Sequence, residues 1–246
     1  DYGVMANTTT DLLVRDCDIW KSGDAGLGLF GVTGTTVTGC RISRNILNVI
    51  QFINTTGTLV SDCELGPDDS SAVNLHSDDD SVNYVLNCDF NDNKLSFGDS
   101  FSRLHVQWYL DVHLISALNR SLEGAPVKVL NANDAEVDTK TSDAGGNASG
   151  FVCTEYIDSS GGKNFNMNPY TIEASSAGDT WYEDVYIQES TLRSMVLNRA
   201  PSVLDIPAQE IPEDTADAQL VDLHAYFDDE EQDDQLLYAL VSATNQ

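Results

Sequence analysis

The chain has 246 residues, with 40 acidic against 12 basic side chains and a formal net charge of −28. That length suits two or three domains, and that balance argues against nucleic acid or an anionic membrane as partner, since both need basic surface. No apolar run reaches the roughly 18 residues that a membrane-crossing helix needs, so no direct membrane insertion is expected in this segment. So large a charge of one sign repels itself unless screened, which points to a saline or cation-rich, extracellular setting.

Along the chain, the first organised stretch runs from Leu12 to Phe90. A short pattern returns there: Val14-Arg15-Asp16-Cys17-Asp18-Ile19, Val37-Thr38-Gly39-Cys40-Arg41-Ile42, Val60-Ser61-Asp62-Cys63-Glu64-Leu65 and Val85-Leu86-Asn87-Cys88-Asp89-Phe90. The cysteines are 23, 23 and 25 residues apart. A fixed period of this size marks a solenoid, each repeat one coil stacked on the next. Ten and twelve residues after the first three cysteines come Leu27 and Leu29, Ile50 and Phe52, Val73 and Leu75. That alternation predicts a second strand with one buried face in each coil. Turn residues lie between: Gly34-Thr35-Thr36, Asn54-Thr55-Thr56-Gly57 and Asp78-Asp79-Asp80-Ser81. A leucine-rich repeat has a similar period, but its Leu-x-x-Leu-x-Leu and ladder Asn are absent. After Cys88 the expected apolar pair is replaced by Gly98 and Ser100, so the solenoid is expected to end near Asn93, with Leu95, Phe97 and Phe101 covering its lower end. Val4 and Met5 look like the end of an earlier coil, and the chain reads as a mature or trimmed piece of something longer.

On these repeats, residues 8–95 resemble the right-handed parallel β-helix repeats of pectate-lyase-like and periplasmic copper-protein-like families. The resemblance implies fold more than function, because the scaffold serves lyases, hydrolases, adhesins and inert spacers. The cysteine spacing is wrong for zinc, which takes close ligand pairs. Stacked coils also bring cysteines together with parallel Cβ vectors, a poor geometry for a disulfide. Small buried thiols filling a narrow interior are the expected reading; Cys153 has no evident partner.

Residues 96–106 read as cap and linker. Residues 107–192 then carry short strands with turn signals, the pattern of an antiparallel sandwich: Val106–Leu114, a turn into Val127–Leu130, Glu136–Thr141, a tight turn at Ser142–Gly146 into Gly150–Cys153, Pro169–Ala174 and Trp181–Gln188. Leu122-x-Gly124-Ala125-x-Val127 and Thr141-x-Asp143-x-x-Gly146 resemble the carboxypeptidase regulatory-like domains, a resemblance that implies an Ig-like or prealbumin-like sandwich acting as a non-catalytic spacer or binding module. Some related pilus sandwiches form an internal Lys–Asn bond; His113 stands where that lysine would sit, so the bond is not expected.

Residues 198–246 open on Asn198-Arg199-Ala200-Pro201. They continue with Ile206-Pro207-Ala208-Gln209, Glu213-Asp214-Thr215, Asp222-Leu223-His224-Ala225-Tyr226-Phe227-Asp228 and Leu236-Leu237-Tyr238. The series closely resembles the start of dystroglycan-type cadherin-like repeats, and implies a partial cadherin-like β-sandwich. A whole sandwich of this kind takes about 100 residues, so the missing strands are expected either downstream of a cut or from another chain. The fold class expected for the whole is all-β: a parallel β-helix of about four coils over residues 1–95, then the sandwich, then the partial sandwich.

Candidate sites are few. Glu213, Asp214, Asp228, Asp229, Glu230, Asp233 and Asp234 offer clustered oxygen ligands, which suit Ca²⁺. The resemblance implies calcium at domain junctions in some relatives, while a solvated acidic loop is the alternative. His76-Ser77-Asp78-Asp79-Asp80 offers carboxylates for glycoside cleavage, but the acids share one turn and no basic residue is at hand, so a polar turn is the better reading. An arginine base of the pectate-lyase kind would have to be Arg41 or Arg44, on a coil without acids. The histidines at 76, 105, 113 and 224 are scattered. Gly-x-Ser-x-Gly, His-Glu-x-x-His, phosphate-loop and haem signatures are absent. Asn-x-Ser/Thr acceptors for glycosylation stand at Asn7, Asn54, Asn119 and Asn147, each in an expected turn or loop.

Taken together, these features lead to the expectation of a non-enzymatic structural protein of a prokaryotic cell surface. A component of an archaeal surface layer, sheath or filament is preferred, assembled with copies of itself or neighbouring surface proteins, with calcium and glycans as candidate ligands. A carbohydrate-binding or carbohydrate-cleaving β-helix protein and a calcium-dependent adhesin are the alternatives.

Overall fold

The computed structural model describes residues 1–66, 73–198, 202–203 and 227–228. The first coil is made of β1 (Val4–Asn7), β2 (Leu13–Arg15) and β3 (Asp18–Trp20). The second holds β4 (Ala25–Phe30), β5 (Thr36–Thr38) and β6 (Arg41–Ser43), and the third β7 (Asn48–Ile53), β8 (Thr56–Ser61) and β9 (Glu64–Leu65). β10 (Val73–Asp78), β11 (Val82–Leu86) and β12 (Asp89–Phe90) make the fourth. Equivalent strands of successive coils pair in parallel, giving three sheets along the stack.

Inward residues form continuous rows. Val14, Val37, Val60, Val85 and Val106 lie in register along one wall, and Ile19, Ile42, Leu65 and Phe90 along another. The third wall has Leu27, Ile50, Leu75 and Leu95 in one row. All of these except Val106 pack into one hydrophobic cluster. A β-branched or leucine side chain fully removed from water contributes about 1.5–3 kcal/mol, and a repeat that cannot bury its inner face alone acquires that burial from its neighbours.

The residue before each ladder cysteine makes the corner possible. Asp16, Gly39, Asp62 and Asn87 all have positive φ, between +51° and +62°. Asp, Asn and Gly are the residues that tolerate this left-handed region at low cost. A second corner uses Thr8, Gly31, Asn54 and Asp79 in the same way.

Two features of the coils depart from the sequence reading. The apolar pair that follows Cys63, in the first strand of the fourth coil, is displaced by two residues: Leu75 pairs with Ile50, and Ser77, not Leu75, pairs with Phe52. A shift of two keeps the inward parity, so alternation alone cannot detect it. The stack also does not end at Asn93. A tight 3₁₀ turn at Asp92–Lys94, capped by the Asn91 side chain on the Asn93 N–H, shortens the corner. β13 (Leu95–Phe97) therefore pairs with β10 seven and nine residues after Cys88 rather than ten and twelve. Leu95 and Phe97 pack against the core as expected, whereas Phe101 is 69% exposed and covers nothing.

The stack then runs into β14 (Arg103–Ser116), whose first residues pair with β11 up to Leu86↔Gln107. The next position, equivalent to the left-handed Asn87, is Trp108. A bulky aromatic resists that conformation, and Gln107-Trp108-Tyr109 continues as a strand. Residues 96–106 are thus ladder strand as much as cap, and no break separates them from the second half of β14.

The remaining strands are β15 (Pro126–Leu130), β16 (Glu136–Thr141), β17 (Asn147–Asp158), β18 (Tyr170–Ser176), β19 (Asp179–Val185) and β20 (Thr191–Leu197), with a short pairing of β21 (Ser202–Val203) and β22 (Phe227–Asp228). β17 runs antiparallel along most of β14, from Leu104 to His113. On its other edge β14 pairs with β11 as far as Gln107 and, from Leu110 on, with β20 in parallel. The 4-stranded sheet β16-β15-β18-β19 faces this end of β14. Leu110, Val112, Leu114, Phe151 and Cys153 meet Val127, Val129, Ile172 and Ala174 in a second cluster. Leu104, Val106, Leu110, Val112 and Leu114 have the same parity, so one face of one strand runs from the first core to the second.

Candidate functional site

The cysteine ladder is the strongest chemical pattern in the sequence, and its geometry is that of an interior corner. The backbone N–H of Cys17 donates to Cys40 Sγ at 3.5 Å, that of Cys40 to Cys63 Sγ at 3.3 Å, and that of Cys63 to Cys88 Sγ at 3.4 Å. Each of these sulfurs so serves as acceptor for the coil above. All five cysteines are free thiols. Burial pushes the Cys40 thiol up and the Cys153 thiol up to about 12, which keeps both protonated and unreactive. Among the described residues no three His, Cys, Asp or Glu side chains are grouped to hold a metal. The ladder is packing. Under native conditions a maleimide is expected to leave Cys40, Cys63, Cys88 and Cys153 unlabelled, and reductant to leave the melting temperature unchanged; peptide mapping and a thermal scan check both.

The His76–Asp80 turn does not assemble an acid–base pair. His76 and Asp78 lie on the outer face of β10, with His76 Nδ1 3.2 Å from Ser96 Oγ. Ser77 points inward and is buried. Asp79 and Asp80 turn the corner with positive φ and are exposed. Asp78 is spent on local bonds, accepting from the Asp79 N–H at 3.0 Å, and any Cβ at Gly98 would collide with its carboxylate. The Asp80 N–H donates to Asp99, which also accepts from the Ser102 hydroxyl. This is turn chemistry. In front of it, the outer face of the first sheet carries Tyr2 over Gly28, edge-on to Phe30 at 5.5 Å and donating to Gln51 at 3.1 Å.

Residues 1–106 match the family model of the right handed beta helix region.

The match covers the coils and ends within β14, where the β-helix passes into the two-sheet unit. A search of curated proteins finds no match.

At that passage the structure brings together residues that the sequence reading did not single out. The Tyr109 N–H donates to Ser190 Oγ at 3.0 Å, and Ser190 Oγ donates to Asn87 Oδ1 at 2.8 Å. Asn87 Nδ2 donates to Asp62 at 2.7 Å. The loop before β20 is thus tied to the last two left-handed corners of the β-helix. On the other side of β14, Lys163 pairs with Asp92 and lies 4.5 Å from the Tyr156 ring centre. The sign of this junction is the Val106-Gln107-Trp108-Tyr109 sequence itself, a fifth Val-x-x unit lacking the Asp, Asn or Gly that turns the corner.

Asp158, which pairs with Leu104 of β14, is only 7% exposed, and burial raises its carboxyl above the ordinary value. A raised folded-state pKa means the native protein holds the proton more tightly than the unfolded chain does. The contribution is fully present below the ordinary carboxylate pKa and is lost as pH rises through the folded value. Asp158→Asn, which stays neutral, is therefore expected to gain melting temperature relative to the parent as pH rises from 4 towards neutrality. Parallel thermal scans across that range check it.

The remaining sequence candidates are dispersed. Asn7 ends β1 and Asn54 stands at a left-handed corner; both are exposed. Asn119 is exposed in a turn with φ of +60°. Asn147 opens β17 rather than lying in a loop, is half-buried, and donates through Nδ2 to Asp143 at 3.3 Å. Glu213, Asp214, Asp229, Glu230, Asp233 and Asp234 lie outside the described residues; Asp228 pairs with Ser202 in the short β21–β22 ladder. His105 stacks on Tyr84 with ring centres 4.8 Å apart, and burial lowers its pKa.

Proposed function

We propose that this chain is a structural, non-enzymatic component of a prokaryotic cell surface, part of a surface layer, sheath or filament. The observation that carries the reading is β14, a strand that is at once the last rung of the β-helix and a central strand of the next unit. A module meant to transmit length and stiffness benefits from such a shared strand, since flexing there breaks the β17 ladder on one edge and the Tyr109–Ser190 bond on the other. The second unit is read as a sandwich of the carboxypeptidase regulatory-like type, and residues 198–246 as the start of a cadherin-like sandwich. Calcium held by Glu213, Asp214, Asp228, Asp229, Asp233 and Asp234, and glycans on Asn7, Asn54 and Asn119, belong to this reading. The net charge of −28 favours a cation-rich exterior. Electron microscopy of the purified chain with millimolar calcium and with EDTA tests assembly. Ordered sheets or filaments with calcium support it; a monodisperse monomer in both conditions counts against it.

A second reading is favoured by one observation, the aromatic and polar outer face at Tyr2, Phe30, Gln51 and His76. An aromatic edge beside polar side chains suits a sugar ring. Glycan-array binding abolished by Tyr2→Ala and Gln51→Ala would favour a carbohydrate-binding β-helix over an inert one.

A further inference from the structure

Beside the β-helix end and against the loop that precedes β20 lies an open cleft of about 510 Å³. Four carboxylates line it, Asp89, Asp92, Glu155 and Glu189, together with the rings of Trp108 and Tyr156; no lysine or arginine does. Trp108 Nε1 donates to Glu155 at 2.7 Å, fixing indole and carboxylate side by side. Tyr156 is only 2% exposed, and its hydroxyl has no hydrogen-bond partner. Burial, then the charges of Asp92, Glu155 and Asp158, push the phenol up, so it remains a donor. A buried donor among carboxylates that bonds to none of them has its desolvation uncompensated. The edge of the cleft already shows which chemistry fits: the Lys163 ammonium sits over the Tyr156 ring and on Asp92, a cation–π contact backed by a carboxylate. No three acidic, His or Cys groups among the described residues converge as a metal site, so the charge pattern suits an organic cation.

We propose that this cleft binds a ligand carrying a primary ammonium beside a hydroxyl, the chemistry of an amino sugar. The ammonium lies between Glu155 and Glu189 against the Trp108 ring, and the ligand hydroxyl accepts from Tyr156. The proposal stands apart from the assembly reading, because a monomer would bind equally well.

Titration calorimetry on the full chain at physiological ionic strength tests it, with glucosamine as probe, glucose as its uncharged counterpart and spermidine as a cation without hydroxyls. Glucosamine is expected to bind at least about tenfold more tightly than either. Glu155→Gln/Glu189→Gln is expected to weaken glucosamine about tenfold or more, and Tyr156→Phe to weaken it several-fold without lowering the melting temperature. Asp18→Asn/Glu123→Gln, which removes the same charge at a distance, is expected to change nothing. Glu189→Gln alone, at an exposed position, serves if the double variant misfolds. Glucosamine binding no tighter than glucose overturns the proposal. So does spermidine matching glucosamine, or equal losses in the near and distant variants, either of which reduces the effect to diffuse attraction by an acidic protein.

Discussion

Phe52→Ala is expected to destabilise the chain by about 3–5 kcal/mol, the range for deleting a fully buried aromatic side chain. Phe52 is completely buried, between Leu29 of the coil above and Ser77 of the coil below. Serine cannot expand to fill the void, and close packing of the interior limits how far its neighbours relax into it. The neighbouring Ile53 points outward and is half-buried, so Ile53→Ala is expected to cost only about 1 kcal/mol. Since a domain of this size has roughly 5–15 kcal/mol in all, the first variant approaches the unfolding threshold and the second does not. Urea denaturation of both measures the difference, and equal losses would mean that the inward register is wrong.

Tyr109→Pro is the second large effect. Tyr109 lies midway along β14, pairs with Val152 of β17, and donates its N–H to Ser190. Proline removes that donor and fixes φ away from the extended strand value, at a cost above about 1 kcal/mol. The expected consequence is also qualitative. The parent melts in one transition across both cores, while the variant melts in two, because the shared strand is interrupted between Val106 and Leu110. Tyr109→Phe loses only a 3.4 Å contact with Asp62 and is expected to shift stability by less than about 1 kcal/mol. Differential scanning calorimetry distinguishes the cases.

The sequence made the coils legible because each coil is built from the same physical parts. An inward valine, a left-handed Asp, Asn or Gly and a small corner thiol recur, and their repetition exposes them. Departures from the period were harder to see. The displacement at Leu75 kept the inward parity, and the shortened corner before Leu95 depended on a side-chain cap at Asn91 that leaves no periodic trace. In the second unit Ser142–Gly146 does close a tight turn, with Asp143 accepting from the Gly145 and Asn147 N–H groups at 2.9 Å each, but β20 (Thr191–Leu197) lies beyond the strands read from the sequence and crosses the expected boundary at residue 192. The junction was not foreseen. Its members, Asn87, Ser190, Asp92 and Lys163, are far apart in the chain and chemically ordinary, and only the path of β14 brings them together. The Asp78–Asp80 acids form a turn, as their shared position in one corner indicated, since their backbone needs account for their type and order.

β14 joins the β-helix to the following unit without a hinge. Native-state hydrogen exchange at Gln107, Trp108, Tyr109 and Leu110 tests it most directly, because these amides span the point where β11 gives way to β20. The Tyr109 amide, bonded to Ser190, and its neighbours paired with β17 are expected to exchange as slowly as Val85 and Val112 in the two cores. Fast exchange confined to residues 107–110, with protection on both sides, would show a hinge and contradict the account.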